Sequence, residues 1–158
     1  MKATQTSYRY RFSRASRLLK PSEFQAVFDA RKACRGQWLT VHRAEAVVDA
    51  EAPEQIITAN AASRLGLIVA KRLVPAAARR NLIRRVVREY FRTTNDAFPA
   101  GDWIVRLHES PFPSPARVRK GTPVPTRTQV VSGLRSDLTQ ILKRVATQMR
   151  KTSTIQNA

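Results

Sequence analysis

Apolar positions recur along this chain at two periods, and the switches between them mark out its elements. After Pro21-Ser22, the residues Phe24, Val27 and Phe28 fall at i, i+3 and i+4. That spacing predicts a short helix, with Ser22 and Gln25 in capping-box register at its start. Gln37 to Arg43 alternates instead, with Trp38, Thr40 and His42 on one side and Leu39 and Val41 on the other, which predicts a strand. Leu65 to Ala70 is apolar almost throughout and ends in Lys71 and Arg72. It predicts a buried central strand. The helical period returns from about Ala76 to Thr94, with Pro75 at a first-turn position. A strand over Asp102–Leu107 and a last helix from about Gln129 to Met149 follow. The last helix carries a stripe of Val130, Leu134, Leu138, Ile141, Leu142 and Val145. The order helix, strand, strand, helix, strand, helix predicts a small α+β two-layer sandwich with helices packed on a sheet.

The helix over 76–94 is unusual in where its charge lies. Arg80, Arg84, Arg88, Asn81, Arg85 and Arg92 fall within an arc of roughly 140° on a wheel of about 3.6 residues per turn. Leu82, Ile83, Val86, Val87, Tyr90 and Phe91 form the apolar set that packs on a core. A solvated helix face interleaves acids with its bases at i,i+4, and here Glu89 is the only acid. The arginines form a rail suited to a polyanion, because a planar guanidinium donates two hydrogen bonds to one phosphate.

Composition strengthens that reading. The 158 residues hold 29 Lys+Arg against 11 Asp+Glu, a net charge of +18. Self-repulsion of that size is relieved by an anionic partner, nucleic acid being the usual one. No apolar run approaches the roughly 18 residues of a membrane span, so nucleic acid is favoured over a membrane. The charge is also segregated. Residues 44–63 carry Glu45, Asp49, Glu51 and Glu54 and no base, an acidic insertion that should face away from a polyanion. Residues 111–127 hold five of the nine prolines with Arg117, Arg119, Lys120 and Arg127, which reads as a long, mobile basic loop. Residues 1–15 read as a basic flexible arm in which Tyr8, Tyr10 and Phe12 alternate with Arg9 and Arg11. Residues 16–149 form one domain, and 150–158 a polar tail. The basic, acid-free start superficially suggests a mitochondrial presequence, but the structural motifs begin as early as Arg17 and the chain reads as cytoplasmic.

Chemistry borne by the protein finds little support. One cysteine, Cys34, and two histidines, His42 and His108, form no metal-binding pattern. Asp102 stands without a second acid close in sequence, whereas metal-assisted phosphodiester cleavage needs clustered carboxylates. No catalytic residue and no metal ligand is assigned to the protein.

Three ordered blocks carry a family resemblance. Arg17-Leu18 with Glu23-Phe24-Gln25 and Val27-Phe28 resembles the opening of the bacterial ribonuclease P protein subunit. Arg64-Leu-Gly-Leu-Ile-Val-Ala-Lys-Arg72 is similar to that family's central strand and its basic end. Ala77 to Arg92 resembles its signature arginine-rich helix. The resemblance spans roughly Arg17–Ala146, apart from the acidic insertion and the proline-rich loop. It implies a left-handed βαβ crossover, against the common right-handed form. It implies a subunit of an endoribonuclease ribonucleoprotein that removes the 5′ leader from precursor tRNA, with the catalytic centre and its Mg²⁺ held mainly by the RNA. By position, the residues facing the catalytic RNA are Lys71, Arg72, Arg80, Asn81, Arg84, Arg85 and Arg88. The leader cleft, between the first helix and the sheet, takes Phe24, Phe28, Trp38, Val41 and Arg17. For the two phenylalanines, core packing and base stacking stand side by side. The chain departs from the family at Leu82, where an arginine is usual, at Pro75 and Ala76, where bases are common, and at Val41, often a tyrosine. Arg79 restores some charge from the other side of the helix. The rivals are a ribosomal or other structural RNA-binding protein, and a DNA-binding helix module. The second is opposed by a helix anchored on a sheet without a helix-turn-helix partner.

Overall fold

In the computed structural model, residues 12–45, 63–94 and 98–156 are described, the side chains of 152–156 excepted. The elements run α1 (Pro21–Asp29), β1 (Lys32–Arg35), β2 (Leu39–Glu45), β3 (Arg64–Ile68), α2 (Ala77–Thr93), β4 (Gly101–Leu107), α3 (Pro115–Arg119) and α4 (Arg127–Gln156). The four strands form one sheet in the order β1-β2-β4-β3. β1–β2 and β2–β4 are antiparallel, while β3 and β4 are parallel neighbours joined through α2. The expected α+β architecture is the observed one.

Register assigns the two faces of the sheet. Leu39↔Leu107, Val41↔Val105 and Arg43↔Trp103 pair across β2 and β4. With Leu65 they bury a main core against Ile83, Val86, Val87 and Phe91 of α2 and the apolar stripe of α4. The alternate residues face α1, where Leu18, Val27 and Ile104 are buried beneath Phe24, Phe28, Ala44 and Ile68. A Cβ on Gly66 would lie 2.6 Å from the Phe24 ring, so glycine is what lets that ring rest on β3.

The sheet departs from expectation at both edges. β1 is absent from the predicted elements because its burial pattern hides only Cys34, leaving no alternation to read. β3 is an edge strand, and its burial comes from helices on both faces. Its outer side takes the Leu18 N–H, which donates to the Leu65 carbonyl at 3.1 Å.

Capping explains where the helices begin. At α1 the side chain of Glu23, not the Ser22/Gln25 pair, accepts the N–H groups of Leu19 at 2.7 Å and Lys20 at 2.8 Å. Glu23 also takes Arg64 at 2.7 Å, and Arg64 grips Asp102 with two bonds of 2.8 and 2.7 Å. These contacts pin α1 to β3 and β4. Ala76 is the N-cap of α2, so Pro75 lies just outside the helix. α4 starts earlier than its stripe because Thr126 and Gln129 form a reciprocal capping box. Within the segment 111–127, expected as loop throughout, α3 forms, the Ser114 side chain accepting the Arg117 N–H. The expected arm is also shorter, since Phe12 already packs edge-on against Phe91 at 5.9 Å. Tyr8, Tyr10 and nearly all of the acidic insertion lie outside the described residues.

The Glu23 contacts hold its pKa at about 2, chiefly through the two backbone N–H bonds and then Arg64. A carboxyl depressed in the folded state stabilises the fold above its unfolded pKa near 4.5, and that stability is lost as pH falls towards 2. With a fifth of the side chain exposed, the contribution is on the order of 2–3 kcal/mol. Urea midpoints of the wild type and Glu23→Gln should therefore differ at pH 7, draw together below pH 4.5 and converge only as pH falls to about 2. A constant gap across that range would refute the assignment.

Candidate nucleic-acid interface

α2 carries its arginines in two environments. Arg80 is half-buried because it shares a face with Val87 and Phe91, seven and eleven positions on. Its guanidinium turns back onto the carbonyls of Val74 and Pro75, bracing the turn in which Lys71 and Arg72 stand exposed. Arg84, Arg85 and Arg88 instead line an open groove of about 820 Å³ together with Asn81 and Arg92. Arg84 reaches the Asn81 side-chain oxygen at 3.4 Å, which turns that amide along the rail.

The groove has two walls that the helix wheel does not contain. Along one side lie Phe12 and Arg17, the Arg17 guanidinium 5.0 Å from the ring centre. Along the other lie Phe112, Val124, Pro125 and Arg127 from the proline-rich segment. Arg79, which points away from the rail, reaches the groove by stacking over Phe112 at 4.5 Å. Leu82 sits between, half-buried against the core.

Among the described residues the groove has one acidic liner, Glu89, against seven arginines. Glu89 is engaged by Arg92, and the Arg92 hydrogen bond is the main reason its pKa is lowered. Arg88 has its pKa pushed down by burial and then by the positive charges of Arg17 and Arg84. Like charges held this close are relieved by an anion.

The second expected site divides. Phe24 and Phe28 come together over the α1-facing side of the sheet, Phe28 edge-on to His42 at 4.9 Å. Val41 and Trp38 do not join them. Val41 is buried in the main core on the opposite face. Trp38 precedes β2 and lies against Gly133 of α4, where an added Cβ would come within 2.8 Å of its ring. Arg17 lines the α2 groove. The strand's alternation puts Val41 opposite Thr40 and His42, as observed; only the family resemblance, taken by position, set it in the cleft.

Beside Phe28 on the sheet stands a polar set absent from the expected site. Thr40 pairs with Arg106 and His42 with Ile104 across β2 and β4. His108 is held on both ring nitrogens: Arg35 donates to Nε2 at 3.1 Å, and Nδ1 lies 3.0 Å from the Thr40 hydroxyl. An acceptor at Nε2 makes Nδ1 the protonated nitrogen. Burial, then Arg35, lowers the His108 pKa, and burial, then Arg106, lowers that of His42. His42 Nε2 is buried without a hydrogen-bond partner among the described residues. The signal is present in the strand's alternation, since Thr40, His42, Ile104 and Arg106 all share one face.

Among the described residues no three His, Cys, Asp or Glu side chains come close enough to hold a metal ion. Asp102 is committed to Arg64. No described helix is long and apolar enough to cross a membrane.

The sequence profile of the family Ribonuclease P matches residues 12–120. The ribonuclease P protein components of Bordetella avium and of Azoarcus sp. are 41% and 43% identical over 98 residues, 62% of this chain and 73% and 72% of theirs. The RNase P protein of Staphylococcus aureus superposes with a TM-score of 0.58 at 22% identity, covering 82% of this chain and 94% of that one. The corresponding protein from Thermotoga maritima gives 0.53 at 25% identity, covering 81% and 96%.

Proposed function

The chain belongs to the ribonuclease P protein family, and from that premise we propose that it is the subunit that seats precursor tRNA against a catalytic RNA. The observation that carries this is the groove along α2, lined by arginines whose one acidic neighbour among the described residues is already paired. Arg84, Arg85 and Arg88 donate to phosphates of the catalytic RNA. Lys71 and Arg72, on the turn braced by Arg80, extend that contact. Neutralising the backbone lowers the repulsion between two RNAs and releases counterions, which drives association.

The 5′ leader, being single-stranded, lies along the α1-facing side of the sheet. Phe28, with Phe24 behind it, offers ring surface for a base. Thr40 and Arg106 offer polar atoms on the same face. The described carboxylates do not fit a catalytic Mg²⁺, so the metal and the bond cleavage are assigned to the RNA. The protein's part is binding and positioning.

Reconstitution tests this. Protein, catalytic RNA and precursor tRNA are combined at low Mg²⁺, and 5′ cleavage is followed with each component omitted. Stimulation by the protein is expected; cleavage by protein alone would overturn the assignment of the chemistry to RNA. No stimulation would overturn the subunit role. Phe28→Ala should weaken binding of leader-bearing tRNA about five- to a hundredfold, the worth of one stacked base. Mature tRNA should be held as before, and Phe28→Tyr should restore the difference. Equal losses for both tRNAs would leave Phe28 a packing residue only.

A further inference from the structure

The groove along α2 carries a feature that phosphate binding does not require. Its floor and one of its walls are apolar. Leu82 lies between the walls, and Phe112, Val124 and Pro125 form one of them, in a lining that also holds seven arginines; Val124 is 48% exposed. A phosphate gains nothing from such a surface, while a nucleobase gains most there, because its π-face is sequence-independent and poorly served by water. The proline-rich segment builds this surface. Phe112 packs against the core and carries Arg79 over its ring at 4.5 Å. Arg79 remains exposed, an arrangement in which a base stacks on a guanidinium plane already supported from behind. Leu82 occupies the position where the resemblance leads one to expect arginine, so a charge has been exchanged for floor.

We propose that this groove seats one unpaired, unstacked nucleotide of the RNA partner. Its base lies against Leu82 and Val124 and stacks on the Arg79 guanidinium that Phe112 backs, and its flanking phosphates meet Arg85 and Arg127. A paired nucleotide cannot present its face in this way, so the site selects a bulge, loop or strand end. The proposal rests on the reading of the partner as RNA and adds what part of that RNA the groove takes.

The test uses the full chain and two synthetic strands. One is a run of seven abasic ribose phosphates; the other is the same strand with 2-aminopurine at its centre. Their charges match, so a difference in affinity reports the base. By fluorescence anisotropy the base-bearing strand is expected to bind about five- to a hundredfold more tightly, with quenched 2-aminopurine emission. Phe112→Ala and Leu82→Arg should abolish most of that preference, and Phe112→Tyr should keep it. Val124→Ser, at an exposed position that does not endanger the fold, should reduce it. Equal affinity of the wild type for both strands would overturn the proposal. So would a preference that survives Leu82→Arg and Val124→Ser, since the base would then be held elsewhere. Stimulated cleavage in the reconstitution without a base preference here would refute the groove site alone. A base preference without stimulation would refute the subunit role alone.

Discussion

Replacing Arg84, Arg85 and Arg88 together by alanine is expected to flatten the dependence of log K on log salt by about 2 to 2.7, at 0.7–0.9 for each phosphate left without its arginine. Binding of a ribonuclease P RNA at about 0.1 M salt should weaken a hundredfold or more, and a salt titration of affinity measures both. The free protein should be no less stable than the wild type. The pKa of Arg88 is lowered partly by Arg17 and Arg84, so removing these charges relieves repulsion that the fold bears without RNA. Arg80→Ala should behave in the opposite way. Its guanidinium is spent on the carbonyls of Val74 and Pro75, so melting temperature should fall while the salt slope changes little. A triple variant with the wild-type slope would mean that the rail faces water in the complex.

The largest effect on stability is expected at Asp137. This carboxylate of α4 is buried and accepts the N–H groups of Gln37 at 2.7 Å, Trp38 at 2.9 Å and Leu39 at 3.0 Å. It thereby closes the β1–β2 connection. Asp137→Ala leaves three donors unsatisfied, a loss of about 3–5 kcal/mol, or a fall in melting temperature of roughly 6–20 °C at this chain length. Asp137→Asn should recover only part, because the amide nitrogen cannot accept. Gly36→Ala attacks the same contact from the other side, since a Cβ there would lie 2.1 Å from the carboxylate oxygen. The two changes should combine less than additively. A melting temperature for Asp137→Ala within a degree or so of the wild type would refute the role.

Much of this is legible in the chain and some is not, for reasons that differ by residue. Helices whose apolar stripe meets one core, such as α2 and α4, announce themselves by period. The α1 residues Phe24, Val27 and Phe28 do so as well. β1 does not, because a four-residue edge strand with one buried side chain has no period to detect. The central placement of β3 fails because a continuous apolar run reports burial on two faces and says nothing of neighbours in the sheet. Arg80 ends the rail on a wheel, within about 20° of both Val87 and Phe91; what the wheel does not give is that its guanidinium turns back onto the carbonyls of Val74 and Pro75. The groove itself is non-local. Phe12, Leu82 and Phe112 are far apart in sequence, and the composition of 111–127 suggests a mobile loop where a wall is built. Asp137 is invisible for the same reason, its partners being about 100 positions away.

The contact of Leu18 with β3 has a consequence for how copies of this chain meet one another. β3 ends the sheet, and an uncovered edge strand is a template on which a second molecule adds its own. The bridge between Arg17 and Leu65, with the Leu18 N–H on the Leu65 carbonyl, occupies that edge from within. At the opposite end β1 keeps Lys32 and Arg35 exposed, Lys32 paired with Glu45, and charged side chains on an edge oppose the addition of a second strand. The sheet is thus guarded against self-addition by a chain segment at one end and by charged side chains at the other. The groove along α2 and the half-buried rings of α1 lie on surfaces away from the two strand edges where a second sheet would add.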